Sequence, residues 1–210
     1  AMKLLDKLFT FLYQDKSDMV PLAILKSLRW TINYGVCDLS MPNFASVGFM
    51  LAAFLGDLKG GRIYGERALE LLERSGSEDI KSRTLLVVYG SLLHWTTPFD
   101  DCRAPILEGY HIGLKMGDVE SALWCILFYL WFSLFLGTPL GSVMEDLQVY
   151  AMQMRKFKQK KHESWTLITL QAVLNLIGLR ENTNKSRLIG EAISEAKMME
   201  QTDEIHILKP

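Results

Sequence analysis

The chain has 210 residues, of which 49% are hydrophobic and 22% are charged, and its formal net charge is −1. This composition is typical of a globular protein with a substantial core, and the charge gives no overall attraction to nucleic acid or anionic lipid. The three cysteines, Cys37, Cys102 and Cys125, are far apart and form no CxxC pair. They argue against a zinc ribbon and favour a reducing compartment, so we expect a cytoplasmic protein.

The N-terminal segment predicts a first helix at about 3–14. Asp6 and Lys7 interrupt its apolar run and no small-residue cleavage site follows, so we do not expect a secretory signal. Ala1 before Met2 is typical of a residue left by cloning, which suggests a fragment or a tagged chain.

Residues that end apolar-periodic segments recur along the chain at nearly constant spacing. One series consists of glycines that are 41 residues apart: Gly35, Gly76 and Gly117. A second, interleaved series has spacings of 39, 42 and 41 residues: Gly56, Trp95, Gly137 and Gly178. Because a glycine just past an apolar run marks the left-handed position that ends a helix, the two series predict two helices per repeat.

Alignment on these stops separates two kinds of helix. The first helix of each repeat is apolar on more than one side: 43–56, 82–95, 124–137 and 165–178. The second helix carries charges on one face, as an outer layer would: 22–35, 63–76, 104–117 and 142–159. A last helix is predicted at about 185–201, which gives an all-α fold of about ten antiparallel helices.

We therefore predict a single helical-repeat domain over residues 1–210. Its repeats fall at about 3–35, 42–76, 80–117, 119–159 and 163–201, followed by a tail at 202–210. The uncharged stretch from Ala122 to Gly137 is not expected to span a membrane, because it is short and acidic residues precede it. Its closing glycine also lies in register with the stops of the other repeats, so we expect no membrane span.

Residues 55–74 read LGDLKGGRIYGERALELLER. A Gly56-Asp57 turn is followed five positions later by the small residue Gly61, and an Ala68-Leu69 pair lies near the end of the second helix. With this spacing the segment resembles a divergent tetratricopeptide (TPR) unit, in which small residues let the two helices approach closely. The resemblance implies a TPR-like solenoid, a right-handed α-α superhelix.

A longer resemblance covers about 20–180. It is carried by the phrases GERALELLER, LLHWTTPFDD, EGYHIGLKMGDVESALWC and LFLGTPLGSVMEDLQVYAMQMRKFKQ. These are similar to the helical region that follows the AAA/STAND-type ATPase module of large multi-sensor signalling kinases, the hybrid Ser/Thr–histidine kinases. The resemblance implies a regulatory segment of a signalling protein. No GxxxxGK[ST] motif and no histidine-kinase nucleotide box occur, so neither activity is carried over.

Polar residues give no catalytic or metal-ligating pattern. The histidines form no HExxH or HxH spacing and are interpreted as polar rim or helix caps: His94, His111, His162 and His206. Asp100 and Asp101 are adjacent, which suits helix N-capping better than a cation site or an acid–base pair. The basic run 155–161 fits the C-terminal end of a helix better than a nucleic-acid surface. We expect no catalytic residue, cofactor or metal.

The resemblance does predict a binding groove, because first helices line the concave face of a TPR-like superhelix. The expected lining residues are Leu85, Tyr89, Leu92, Trp124, Leu127, Trp131, Leu134, Trp165, Ile168 and Asn175. Large exposed apolar patches are rare, so something is expected to cover this groove. The candidates are the chain's own terminal helices, a neighbouring domain, a second copy that forms a homodimer, and a bound helix or apolar ligand.

Three functions remain open at this point. The first is a non-catalytic protein–protein interaction and regulatory scaffold inside a larger signal-transduction protein. The second is a ligand-sensing solenoid whose aromatic groove binds a small molecule or an amphipathic helix. The third, an all-helical terpenoid-type enzyme, requires a second acidic motif that the sequence does not contain.

Overall fold

The structure is a computed structural model that describes residues 2–15, 17–178, 190, 192 and 193. Throughout these residues the regular structure is helical and no strand occurs. The α-helices are α1 (Met2–Gln14), α2 (Val20–Tyr34), α3 (Ser40–Leu55), α4 (Leu58–Ser75), α5 (Lys81–Leu85), α6 (Phe99–Met116), α7 (Val119–Phe135), α8 (Leu140–Lys156) and α9 (Lys160–Ile177). A π-helix (Leu86–Leu92) and a 3₁₀-helix (Leu93–Trp95) continue α5. The predicted all-α class is confirmed.

The chain divides into two compact units, Ala1–Cys125 and Ile126–Pro210. In the first unit, α1 to α6 and the beginning of α7 pack together. In the second unit, the remainder of α7 packs with α8 and α9 around six buried residues: Leu130, Val143, Leu147, Leu170, Val173 and Leu174. The predicted tenth helix at 185–201 lies outside the described residues, apart from Gly190, Ala192 and Ile193, and these three are not helical.

All six glycines predicted to end helices have positive φ: Gly35, Gly56, Gly76, Gly117, Gly137 and Gly178. Where α8 ends without a glycine, Lys158 takes the left-handed conformation instead, with φ of 58°. No glycine stands at Trp95, and there the helix ends through the π-helix and the 3₁₀ turn. The glycine stops therefore predicted the helix ends, and the two remaining ends use other backbone solutions.

The second helix of each predicted pair buries the same positions, 41 residues apart. In α2 these are Val20, Ile24, Ser27 and Thr31. In α4 they are Gly61, Gly65, Ala68 and Leu72, and in α6 Cys102, Ile106, Gly109 and Gly113. In α8 the register continues at Val143, Leu147 and Met154, with Ala151 one residue later than the period requires. The period of the glycine stops is thus also a period of burial.

Helices α3 and α4 cross where two glycines face each other. A Cβ atom at Gly48 would lie 2.6 Å from the carbonyl oxygen of Gly61, and one at Gly61 would lie 2.8 Å from that of Gly48. The turn before α4 is held by Asp57, whose Oδ1 accepts a hydrogen bond from the Gly60 amide at 2.8 Å. This crossing gives a physical role to the small residue predicted at position 61.

The second close approach in the first unit joins α6 to α5 and to the beginning of α7. A Cβ atom at Gly109 would lie 2.9 Å from the Cys125 sulfur, and one at Gly113 would lie 2.9 Å from the Ala122 Cβ. Because α6 ends at Met116 and begins at Phe99, its N-cap is Pro98. Asp100 and Asp101 are therefore not the cap. They occupy the first turn, where their charge still favours the positive end of the helix.

Candidate functional site

The ten predicted groove residues are divided between the two units. Leu85, Tyr89, Leu92 and Trp124 belong to the first unit, and the other six belong to the second. Leu85, Leu92 and Leu127 are buried, with 5%, 2% and 0% of their surface exposed, so they form core and offer no surface to a ligand. The other seven are half-buried: Tyr89, Trp124, Leu134, Trp131, Trp165, Ile168 and Asn175.

In the first unit, Tyr89 lies in the π-helix and packs against a core cluster that includes Ala45, Ala68 and Val88. Burial raises the pKa of its phenol. Nearby in sequence, the His94 ring stacks on Phe99 with 6.1 Å between centroids and 14° between planes. Burial lowers the pKa of His94, which keeps the imidazole neutral at neutral pH. These contacts are those of a packed interior edge.

In the second unit, two of the predicted tryptophans meet. The Trp131 and Trp165 rings contact edge to face at 6.2 Å and 77°, and Phe128 packs edge-on against Trp131 at 5.2 Å. The Trp131 Nε1 donates a hydrogen bond to Thr169 Oγ1 at 3.0 Å, and that hydroxyl donates to the Trp165 carbonyl at 3.0 Å. We call Phe128, Trp131, Trp165 and Thr169 the aromatic cluster. The sequence analysis found its tryptophans and missed Phe128 and Thr169.

Asn175, also predicted for the groove, belongs to a polar contact centred on Gln171. The Gln171 side chain is fully buried, and its Nε2 donates to Asn175 Oδ1 at 3.0 Å. Its Oε1 accepts the backbone amides of Ala192 at 3.1 Å and Ile193 at 3.4 Å. The sequence analysis missed Gln171. The available signal was an amide side chain inside the apolar stripe formed by Leu170, Val173 and Leu174.

The remaining candidates for chemistry are buried or paired with neighbours. His162 is 2% exposed, and burial, with a smaller effect of Lys161, lowers its pKa to about 4. In the basic run, Arg155 Nε lies 2.7 Å from Glu163 Oε1. Burial raises the pKa of the Cys102 thiol to about 11 and that of Cys125 further still. No group of three or more metal-ligating side chains assembles among the described residues.

A pocket of about 440 Å³ opens beside the C-terminal end of α2, where the sequence predicted no site. It is lined by Met2, Trp30, Tyr34, Gly35, Val36 and Cys37. The Lys26 ammonium lies 5.6 Å from the centre of the Trp30 ring. Such a volume falls in the range of small-molecule pockets, and its walls are mostly apolar.

Taken together, the described polar and aromatic groups can bind apolar surface and peptide backbone. None of the described helices combines the length and the apolar character that crossing a membrane requires. The chain matches no family model, no curated protein and no solved structure.

Proposed function

We propose that this chain is a non-catalytic protein–protein interaction and regulatory scaffold of a larger cytoplasmic signal-transduction protein. It is built as a TPR-like solenoid, a right-handed α-α superhelix. Its partner is another protein or a neighbouring domain of the parent protein, and the sequence gives it no cofactor. A second copy of the chain is the remaining candidate partner, which sedimentation analysis distinguishes.

The observation that supports this proposal most is the 41-residue period of burial in α2, α4, α6 and α8. A recurring pair of helices cannot bury its apolar face alone, so stacking of neighbouring pairs explains why the same positions are buried each time. The exposed face of α4 carries ion pairs between neighbouring turns, Arg62–Glu66 and Arg67–Glu70. Such a face is suited to the outer layer of a superhelix.

The resemblance to the helical region of multi-sensor kinases supports the signalling context. The full-length gene product tests it: we expect a P-loop ATPase before this region and a GAF sensor or kinase domain after it. The separately expressed neighbouring domains should bind this chain in a titration followed by calorimetry. A gene that encodes neither neighbour, or neighbours that show no binding, would contradict the proposal.

The aromatic cluster supports a second candidate, a ligand-sensing groove on α7 and α9. Under this alternative, Trp131→Ala abolishes binding of an apolar probe such as anilinonaphthalene sulfonate and leaves the helical content unchanged. Trp95→Ala is the matched control, because Trp95 lies in the first unit and is 59% exposed. If Trp131→Ala instead unfolds the protein, the cluster is core and this candidate is wrong.

A further inference from the structure

The short segment containing Gly190, Ala192 and Ile193 is seated on the second unit. Both Ala192 and Ile193 donate their backbone amides to the single oxygen Oε1 of Gln171. Ala192 packs against the core cluster formed by α7, α8 and α9, and Ile193 is only 7% exposed. The contact joins residues 21 and 22 positions apart in the chain, so it is not a local turn.

Gly190 is required by the closeness of this contact. A Cβ atom at this position would lie 2.6 Å from Gln171 Nε2 and 2.9 Å from Oε1. No real Cβ atom occupies such a space, and the amide beside it is fixed by its hydrogen bonds. The seat therefore accepts glycine at this place, an alanine two positions later and a branched apolar residue after that.

The burial of Gln171 is explained only by a backbone partner. An amide placed among leucines without hydrogen bonds costs on the order of 1–3 kcal/mol, and an apolar side chain would fill the same space without that cost. Here Oε1 receives two amides and Nε2 donates to Asn175, so the polar atoms of the side chain are satisfied. An amide that recognises backbone groups in this way does not depend on the partner's side chains.

We propose that Gln171 and Asn175 form a peptide-binding site on α9 for non-helical segments of the type Gly-x-Ala-Ile, occupied in cis by residues 190–193. The proposal rests on the interaction function proposed above and names the class of partner. A protein partner with this pattern competes with the chain's own segment. Because the two sites are linked by a short stretch of chain, the effective concentration of that segment is about millimolar, and the partner binds in trans only weakly until it is released.

The first test measures the seat itself by amide hydrogen exchange on the full chain. We expect the Ala192 and Ile193 amides to exchange slowly in the natural protein and at least tenfold faster in Gln171→Met, which has a similar volume and no acceptor. Gln148→Met, on the exposed face of α8, is the matched control and should leave both amides protected. Equal exchange in the natural protein and in Gln171→Met would overturn the proposal.

The second test measures binding in trans and keeps Gln171 intact. A fluorescein-labelled peptide with the sequence RLIGEAISEAK, residues 187–197, is titrated against the full chain and followed by anisotropy. Gly190→Ala in the protein should release the segment and tighten peptide binding at least tenfold. Gly141→Ala, where a Cβ atom meets nothing within 4 Å, should bind as weakly as the natural protein.

Two outcomes overturn the proposal in this second test. One is equal peptide affinity of the natural and Gly190→Ala proteins, and the other is equal affinity for a peptide that itself carries Gly190→Ala. Neither outcome affects binding of the parent protein's neighbouring domains, which tests the scaffold function separately. Conversely, loss of that domain binding leaves the exchange of the Ala192 and Ile193 amides unchanged.

Discussion

Single glycines determine how closely the helices of the first unit approach. Gly48 and Gly61 lie at the crossing of α3 and α4, and a Cβ atom at Gly48 would also lie 2.7 Å from Leu92 Cδ2. Gly48→Ala therefore forces the two backbones apart, at a cost of about 1–3 kcal/mol that exceeds the gain of about 1 kcal/mol in helix propensity. We expect a lower free energy of unfolding, measured by urea denaturation.

Gly141→Ala is the control for this prediction, because position 141 is helical and open. There the same substitution gains propensity without a clash, so stability should be unchanged or slightly higher. If Gly48→Ala is as well tolerated as Gly141→Ala, the crossing is looser than the structure indicates and glycine is not required there.

His162 makes the stability of the protein depend on pH. Burial lowers its pKa from 6.5 to about 4, so between these values the unfolded chain binds a proton that the folded chain does not. The free energy of unfolding should therefore fall as the pH falls through this window, by up to about tenfold in the unfolding constant per pH unit. Urea denaturation across the window measures it, and His162→Gln should flatten the dependence.

The exposed His111 provides the control for this pH effect. His111→Gln should leave the pH dependence of the natural protein intact, since an exposed imidazole loses little hydration on folding. An identical pH dependence in the natural protein and in His162→Gln would show that other groups, and not this buried histidine, govern the response.

At the same scale, sequence alone found part of the candidate site. Trp131 and Trp165 could be paired from the period, because equivalent positions of neighbouring first helices come together. Their hydrogen-bonded partner Thr169 could not, since a threonine at helical spacing is equally suited to solvent. Leu127 was assigned to a groove and is fully buried, because the face that a residue presents depends on helix rotation, which periodicity does not fix.

At the level of elements, helix ends were predictable wherever glycine supplies the left-handed residue. The end near Trp95 was not, because no glycine stands there and the chain uses a π-helix followed by a 3₁₀ turn, closed by the Thr97 amide on the Leu93 carbonyl at 2.8 Å. The N-terminus of α6 was also misassigned: two aspartates suggested a cap, while Pro98 begins the helix by fixing its own φ at −53°.

Helix α1 depends on one partly buried ion pair for its attachment to α5. Arg83 Nη1 lies 2.6 Å from Asp6 Oδ2, with the two side chains 23% and 12% exposed. Arg83→Met removes this cation from the Asp6 carboxylate, which should cost about 1–3 kcal/mol. We expect faster hydrogen exchange throughout α1 together with a lower midpoint of urea unfolding.

Arg62→Met is the control for the Arg83 prediction, because the Arg62–Glu66 pair is half exposed on both sides. Surface pairs contribute about 0–1 kcal/mol, so this variant should unfold nearly as the natural protein does. Equal effects of the two substitutions would mean that the Arg83 pair is no more than a surface contact and that apolar packing alone holds α1.

Over the whole chain, the 41-residue period makes a structural claim that neither single residues nor single helices test. It relates first helices as well as second ones: Cys125 lies 41 residues after Thr84, and both are fully buried. Residues 77–117 contain one complete period, between two glycines of positive φ, Gly76 and Gly117. Removing this segment joins equivalent points, so α7 would follow α4 as α5 does now.

We expect the chain without residues 77–117 to remain folded. Its mean ellipticity per residue at the helical minimum should match the natural protein, and its urea transition should stay cooperative with a lower midpoint, because one pair of stacked helices is lost. Removing only 77–97 is the control: it deletes a first helix, places two second helices in succession and leaves the buried positions of α4 facing a charged surface. This shorter deletion should abolish the cooperative transition although it removes fewer residues. If the shorter deletion folds and the full-period deletion does not, the 41-residue period is a coincidence of spacing and the proposed solenoid is wrong.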